Sequence, residues 1–214
     1  MAFRILSIAD DVEPLEIDNL RWHPLRHTLG VRGFGLNAYS AKAAGDELIE
    51  DHTEADEGST EGHQELYVVL RGAARFTVEG EEHLVPAGSL VFLPDPTSRR
   101  AAIAAEPDSL VIAVGGQEGK AYEVSDWEDR FRGRGEWAAG RREQALATIR
   151  QAAQDHPRDA ATFYDLACLE AMSGEPEAAV EHLQQAIAIR PAAREWMKDD
   201  AELDPIRDHP GVPA

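Results

Sequence analysis

Hydrophobic positions change period along this chain. Up to about residue 120 they recur every second residue, in short runs at 31–39, 46–54, 65–70, 74–78, 90–93 and 110–114 that are rich in β-branched or aromatic side chains. Gly, Pro and Asp/Asn clusters separate the runs at the regular intervals of a β-sandwich or barrel. The stretch 63–94, HQELYVVLRGAARFTVEGEEHLVPAGSLVFLP, is the most patterned. Its runs are broken at Arg71-Gly72, at Glu79-Gly80-Glu81 and at Pro86-Ala87-Gly88. From about residue 126, Ala, Glu, Gln, Arg and Leu take over and apolar residues fall at helical spacing. The glycine-rich segment 115–120 marks the change, which predicts a β domain over 1–119 and a helical domain over 120–214.

The helical half repeats itself. Ala145, Ile149, Ala152 and Pro157 recur 34 residues later as Ala179, Leu183, Ala186 and Pro191. Small residues where two helices would cross, and a proline closing the second helix, make this period resemble the tetratricopeptide repeat. The unit over 160–193 is complete, with Phe163 and Leu166 at large apolar positions and Ala167 at the small one. The preceding unit matches only in its second helix; Gly133, Gly135 and Gly140 weaken the first, at about 1 kcal/mol each relative to Ala if they lie inside it. An acidic capping helix is expected after Pro191.

Charge narrows the function classes. Forty acidic against twenty-one basic residues give a formal net charge of −19. No basic cluster offsets it, so nucleic acid and anionic membrane surfaces are excluded as partners. The single cysteine, Cys168, rules out an intrachain disulfide and reads as a packed, inert thiol. With no signal-peptide pattern and no long apolar run, a cytoplasmic protein is expected.

The β half resembles the cupin superfamily over residues 30–115, on two motifs. In the second motif Gly80 is followed by five residues, then Pro86-Ala87-Gly88, the apolar run 90–93 and Pro94. In the first, Glu65 and Gly72 stand with six residues between them. Two alignments of the preceding histidines are possible. A short spacer places them on Ser59 and Glu61 and destroys the ligand set. A longer one leads from Gly45 into His52-Thr53-Glu54 and makes 55–62 an inserted loop, which is preferred because such insertions are tolerated cheaply. The resemblance implies a cupin-type barrel (a jelly roll of double-stranded β-helix type) that commonly forms a homodimer. Its interior would hold a metal on histidines and a glutamate.

Here the third histidine position carries Arg99. Side chains two apart on a strand share a face, so Glu50, His52 and Glu54 are expected on one side, and His63, Glu65 and Tyr67 on another. Two readings follow. In one, His52, Glu54, His63 and Glu65 ligate a divalent transition metal (Fe, Mn, Ni or Zn), with Tyr67 or Arg99 orienting substrate in an oxygenase, isomerase or hydrolase. In the other, Arg99 reaches into the barrel and pairs with Glu65 or Glu54. A guanidinium–carboxylate pair takes the place of a cation, and the barrel is a binding or regulatory module for a small molecule, with Arg99 and Tyr67 as ligand contacts. The loss of the third histidine favours the second. The helical domain is expected to dock a protein partner or a second copy, or to pack as an appendage.

Overall fold

A computed structural model describes residues 3–17, 19–55, 62–122 and 124–213. The chain forms two compact units, Met1–Val124 and Ser125–Ala214. The division falls later than the glycine-rich segment suggests, because Tyr122 still belongs to the first unit: its ring lies 5.9 Å from that of His63.

The first unit is built from two antiparallel sheets. One has the order β1 (Leu15–Ile17), β2 (Leu20–His23), β3 (Gly35–Ser40), β10 (Leu110–Gly116), β5 (Gln64–Arg71) and β8 (Leu90–Leu93). The other runs β4 (Glu47–His52), β9 (Arg100–Ala104), β6 (Ala73–Val78) and β7 (Glu81–Pro86). Period-two alternation decides which side chains meet between them. On β5, Tyr67 and Val69 are buried while Leu70 is exposed; on β9, Ala102 and Ala104 are buried while Ile103 is exposed. These inward residues join Leu48, Ile49, Ala74, Phe76, Val85, Leu93, Val111 and Ala113 in one core drawn from both sheets. Tyr67 and Phe76 touch across the sheets with ring centres 5.4 Å apart, a contact worth about 0.5–1.5 kcal/mol beyond its burial. This double-sheet architecture is the cupin-type barrel expected from the motifs. The Trp22–His23 segment supplies the end of strand β2, with Trp22 buried and donating to Asn37 at 2.9 Å.

β1 and β2 lie before the first run read from the sequence, and two strands of the second sheet, β7 and β9, lie between the runs. β7 is an edge strand in which only Val85 is buried, so EEHLVP carries no alternation to read. β9 (RAAIA) buries its arginine and its small residues and exposes its isoleucine, the reverse of the usual hydrophobic signal.

The first unit also has two short helices, α1 (Ile8–Asp11) and α2 (Leu25–Leu29), and the second unit stacks α3 (Asp126–Ala138) on α4 (Arg142–Asp155) and α5 (Ala160–Ser173) on α6 (Pro176–Ile189). Asp159 caps α5 by accepting from the amides of Ala161 and Thr162, and Pro176 opens α6. The repeat-equivalent residues Ala145, Ile149, Ala152, Ala179, Leu183 and Ala186 are all buried. The first helix of the earlier repeat forms in full, against the expectation from its glycines. Gly133 sits in α3 where a Cβ would lie 2.2 Å from Ile149 Cγ1, so its missing side chain is what lets α3 approach α4. Beyond Pro191 the chain makes a short helix α7 (Ala193–Trp196) and then a 3-10 helix (Ala201–Ile206), rather than one capping helix. Among the described residues no helix is long and apolar enough to cross a membrane.

Candidate functional site

At one end of the barrel the two sheets bring a polar cluster together. From the first sheet, β5 contributes Glu65 and Tyr67; from the second, β4 contributes His52 and β9 contributes Arg100, whose backbone pairs with that of His52. Glu54 and His63 join from the chain just beyond β4 and just before β5. The Glu54 amide donates to the Pro96 carbonyl at 2.9 Å, which holds Glu54 against the barrel end. Gly62 then passes so close that a Cβ there would lie 2.3 Å from the Glu54 carbonyl oxygen, and this approach sets His63 beside Glu54. The loop read as an insertion at 55–62 lies largely outside the described residues.

Arg100 organises the cluster. Its side chain is 1% exposed, as deeply buried as Tyr67. Its Nη2 donates to Glu65 Oε2 at 2.5 Å and its Nε to the same oxygen at 3.1 Å. Nη2 also lies 3.4 Å from Glu54 Oε1, and Nη1 donates to the Ser98 carbonyl at 3.0 Å. The Tyr67 hydroxyl donates to Glu65 Oε2 as well. Around this core, His52 Nε2 is 3.3 Å from Glu54 Oε1 and 4.0 Å from Glu65 Oε2, while His63 Nδ1 is 3.6 Å from Glu54 Oε2. The His52 Nδ1 contacts the Glu50 carbonyl at 2.8 Å, so that nitrogen carries its proton and Nε2 faces the carboxylates.

Arg99 does not take the role expected of it. It is exposed and pairs with Asp51 through Nε at 2.8 Å and Nη2 at 2.9 Å, on the outer surface. The inward parity of β9 belongs to Arg100, Ala102 and Ala104, which sends the preceding residue the other way. The arginine that meets Glu65 and Glu54 is therefore Arg100. Glu50 is likewise not on the same side as His52. A register shift in β4 between Ile49 and His52 breaks the alternation and leaves Glu50 exposed. The small side chains at 102 and 104 were the available signal for Arg100, since they leave an inward space that a long side chain can fill.

Charge in the cluster is balanced internally. Burial opposes protonation of His52, but Glu54, the Glu50 carbonyl and Glu65 outweigh it and raise its pKa above the ordinary 6.5. Burial also opposes ionisation of Glu54, yet His52, Arg100 and His63 outweigh it and hold its pKa below the ordinary 4.5. Burial, and then the charge of Glu65, push the Tyr67 hydroxyl well above its usual range, so it remains a donor. The raised His52 value stabilises the fold below 6.5, and this contribution is lost as pH climbs through the folded-state value. The lowered Glu54 value stabilises the fold above 4.5, and this contribution is lost as pH falls through the folded-state value. Barrel stability, followed by urea denaturation against pH, is therefore expected to peak between those limits. His52→Gln should flatten the alkaline limb and weaken, without abolishing, the acid limb, because Arg100 and His63 still act on Glu54; an unchanged alkaline limb would show that His52 does not contribute.

The cluster also tests whether a metal fits. His52, Glu54 and Glu65 each offer a ligand atom within 4.8 Å of the others, and the Nδ1 contact of His52 is the arrangement that orients metal-ligating histidines. The ligand types are suitable. The space for a cation is not, because Glu65 Oε2 already accepts from three donors and the Arg100 guanidinium lies against the same two carboxylates a metal would need. Two positive charges at that distance repel strongly in a poorly solvated site.

Residues 130–192 match the family model of the tetratricopeptide repeat. The C-terminal unit carries a tetratricopeptide repeat. This match includes much of α3, the helix that the glycines were expected to weaken. No curated protein matches the chain. Similar solved structures include a cupin protein from Bacteroides fragilis, at 19% identity and a TM-score of 0.41 over 58% of this chain and 92% of that one. A cupin 2 conserved barrel domain protein from Salinispora arenicola has 24% identity and a TM-score of 0.41, over 63% and 98%. A predicted oxalate decarboxylase from Thermotoga maritima has 16% identity and a TM-score of 0.41, over 53% and 99%.

Proposed function

We propose that this chain is a metal-independent binding protein, in which the barrel end takes up a small molecule and the tetratricopeptide repeat docks a protein partner. The observation that carries the first half is the position of Arg100. Its guanidinium places inside the barrel a positive charge that Glu54 and Glu65 share, in the space an added cation would otherwise take. The residues left at the rim, His52, Glu54 and His63, are partly exposed. They offer carboxylate and imidazole acceptors, whereas the arginine charge is already matched. This favours a ligand rich in hydrogen-bond donors, an amine or a polyol, over the anion that a free arginine would select.

The second reading is a metal-dependent cupin enzyme on His52, Glu54, His63 and Glu65. The ligand-atom spacing and the Glu50–His52 contact favour it. It requires Arg100 to leave its buried position.

Thermal-shift titration separates the two. The wild-type melting temperature should not respond to Zn²⁺, Mn²⁺ or Ni²⁺, while one or more amines or polyols raise it, and His63→Ala should weaken that response. Arg100→His replaces the guanidinium with a ligand and should confer a rise with divalent metal. A wild-type rise with metal that disappears in Glu65→Gln would instead establish the enzyme-type site.

A further inference from the structure

Three residues at equivalent places in the helical repeat line up across it. Arg134 in α3, Cys168 in α5 and Glu202 in the 3-10 helix stand 34 residues apart in turn, the period of the repeat itself. The outer two are joined. Arg134 Nη1 meets Glu202 Oε2 at 2.6 Å and Nη2 meets Oε1 at 3.0 Å, a bidentate pair that passes over the middle position. Beside it, Asp200 Oδ2 accepts from the Tyr164 hydroxyl at 2.8 Å and from Cys168 Sγ at 3.6 Å. Both α3 and the 3-10 helix pack on α5, so this row spans α5 from one side to the other.

We propose that Asp200–Ile206 is a strap that closes this face of the repeat, and that it opens as a unit when the Arg134–Glu202 clasp is released. The proposal rests on the reading that the repeat docks a partner, since it is the partner's surface that the strap would cover. Several features make the strap separable from the core. It is a 3-10 helix of 6 residues, whose i to i+3 bonding is poorer than that of an α-helix. Only Leu203 and Ile206 anchor it in the apolar cluster. The contacts of α3 with α4, α4 with α5 and α5 with α6 do not involve it. Arg134 is shared with Asp165 at 4.0 Å, and Arg130 meets Asp165 at 3.5 Å while its buried Nε has no hydrogen-bond partner among the described residues. An opened strap therefore leaves a carboxylate-seeking pair of arginines on α3, suited to an acidic segment of a partner.

Cys168 reports the opening directly. It is the only cysteine, 1% exposed, and burial together with the charges of Asp200, Glu202 and Asp165 pushes its thiol well above the usual range. Both effects protect it from alkylation while the strap is closed. Iodoacetamide labelling of the full native chain should be slow in the wild type and roughly tenfold or more faster in Glu202→Gln and in Arg134→Gln. The double variant should label no faster than the faster single, and Arg134→Lys, which keeps a positive charge between Glu202 and Asp165, should keep part of the protection. Val180→Ala on α6, which weakens the core away from the clasp, serves as the control and should leave labelling slow. Labelling at the wild-type rate in both clasp variants would overturn the proposal. So would rates that simply follow melting temperature across all variants, the control included, because the segment would then unfold only with the whole unit. The measurement needs no partner, so its failure leaves the docking role of the repeat untouched.

Discussion

Arg100→Met is expected to destabilise the barrel by about 3–5 kcal/mol, the cost of breaking one side of a buried ion pair. The loss comes from what stays behind. Glu65, accepting from Tyr67 and Arg100, and Glu54 beside it would remain as neighbouring carboxylates with no buried cation between them. Arg100→Lys should recover only part of the loss, because one ammonium cannot reproduce donation by Nε and Nη2 to Glu65 together with Nη1 to the Ser98 carbonyl. Adding Glu65→Gln to Arg100→Met should also recover part of it, by removing the unpaired charge. Arg99→Ala is the matching control: its partner Asp51 is on the surface, and stability should hardly change. Urea denaturation of the four variants checks the order. Equal effects at 99 and 100 would contradict the placement of Arg100.

Gly133→Ala should reverse the usual sign of a glycine replacement in a helix. In an exposed helix interior the change gains about 1 kcal/mol. At this position the new Cβ would lie 2.2 Å from Ile149 Cγ1 and 2.6 Å from its Cδ1, and Ile149 is fully buried. Either α3 moves away from α4 or Ile149 leaves its rotamer, at about 1–3 kcal/mol. Ile149→Ala removes the obstructing atoms, so the double variant should be less destabilised than the sum of the singles. The helical transition in a denaturant melt reads both numbers. A stabilised Gly133→Ala would show that α3 and α4 do not approach as closely as described.

The contrast between these two residues shows how far the sequence could be read. The strand alternation around Tyr67 and Val69 was legible because a strand with one buried face writes its orientation into every second residue. The 34-residue period was legible because Ala145 and Ala179, or Ile149 and Leu183, fill the same crossing in successive units. Gly133 looked like a weak point, since propensity is local and the close approach of α4 is not. The site was legible in its carboxylates and histidines but not in its cation. Counting from Pro94 pointed to Arg99, whereas strand parity, set by Ala102 and Ala104, turns Arg100 inward. The break in β4 had no sequence signal strong enough to separate Glu50 from His52. The clasp lay in plain view at positions 134, 168 and 202, but an arginine, a cysteine and a glutamate share no chemistry that marks them as equivalent.

Arg100 fills the place of a cation beside Glu54 and Glu65 in this barrel. Elemental analysis of the native wild-type protein, purified without chelator from metal-replete medium, tests it most directly. The account predicts divalent transition metal far below one equivalent per chain, in a protein whose melting temperature is the same with and without EDTA. One equivalent of metal, lost on Glu65→Gln and accompanied by a melting temperature that falls in EDTA, would contradict it.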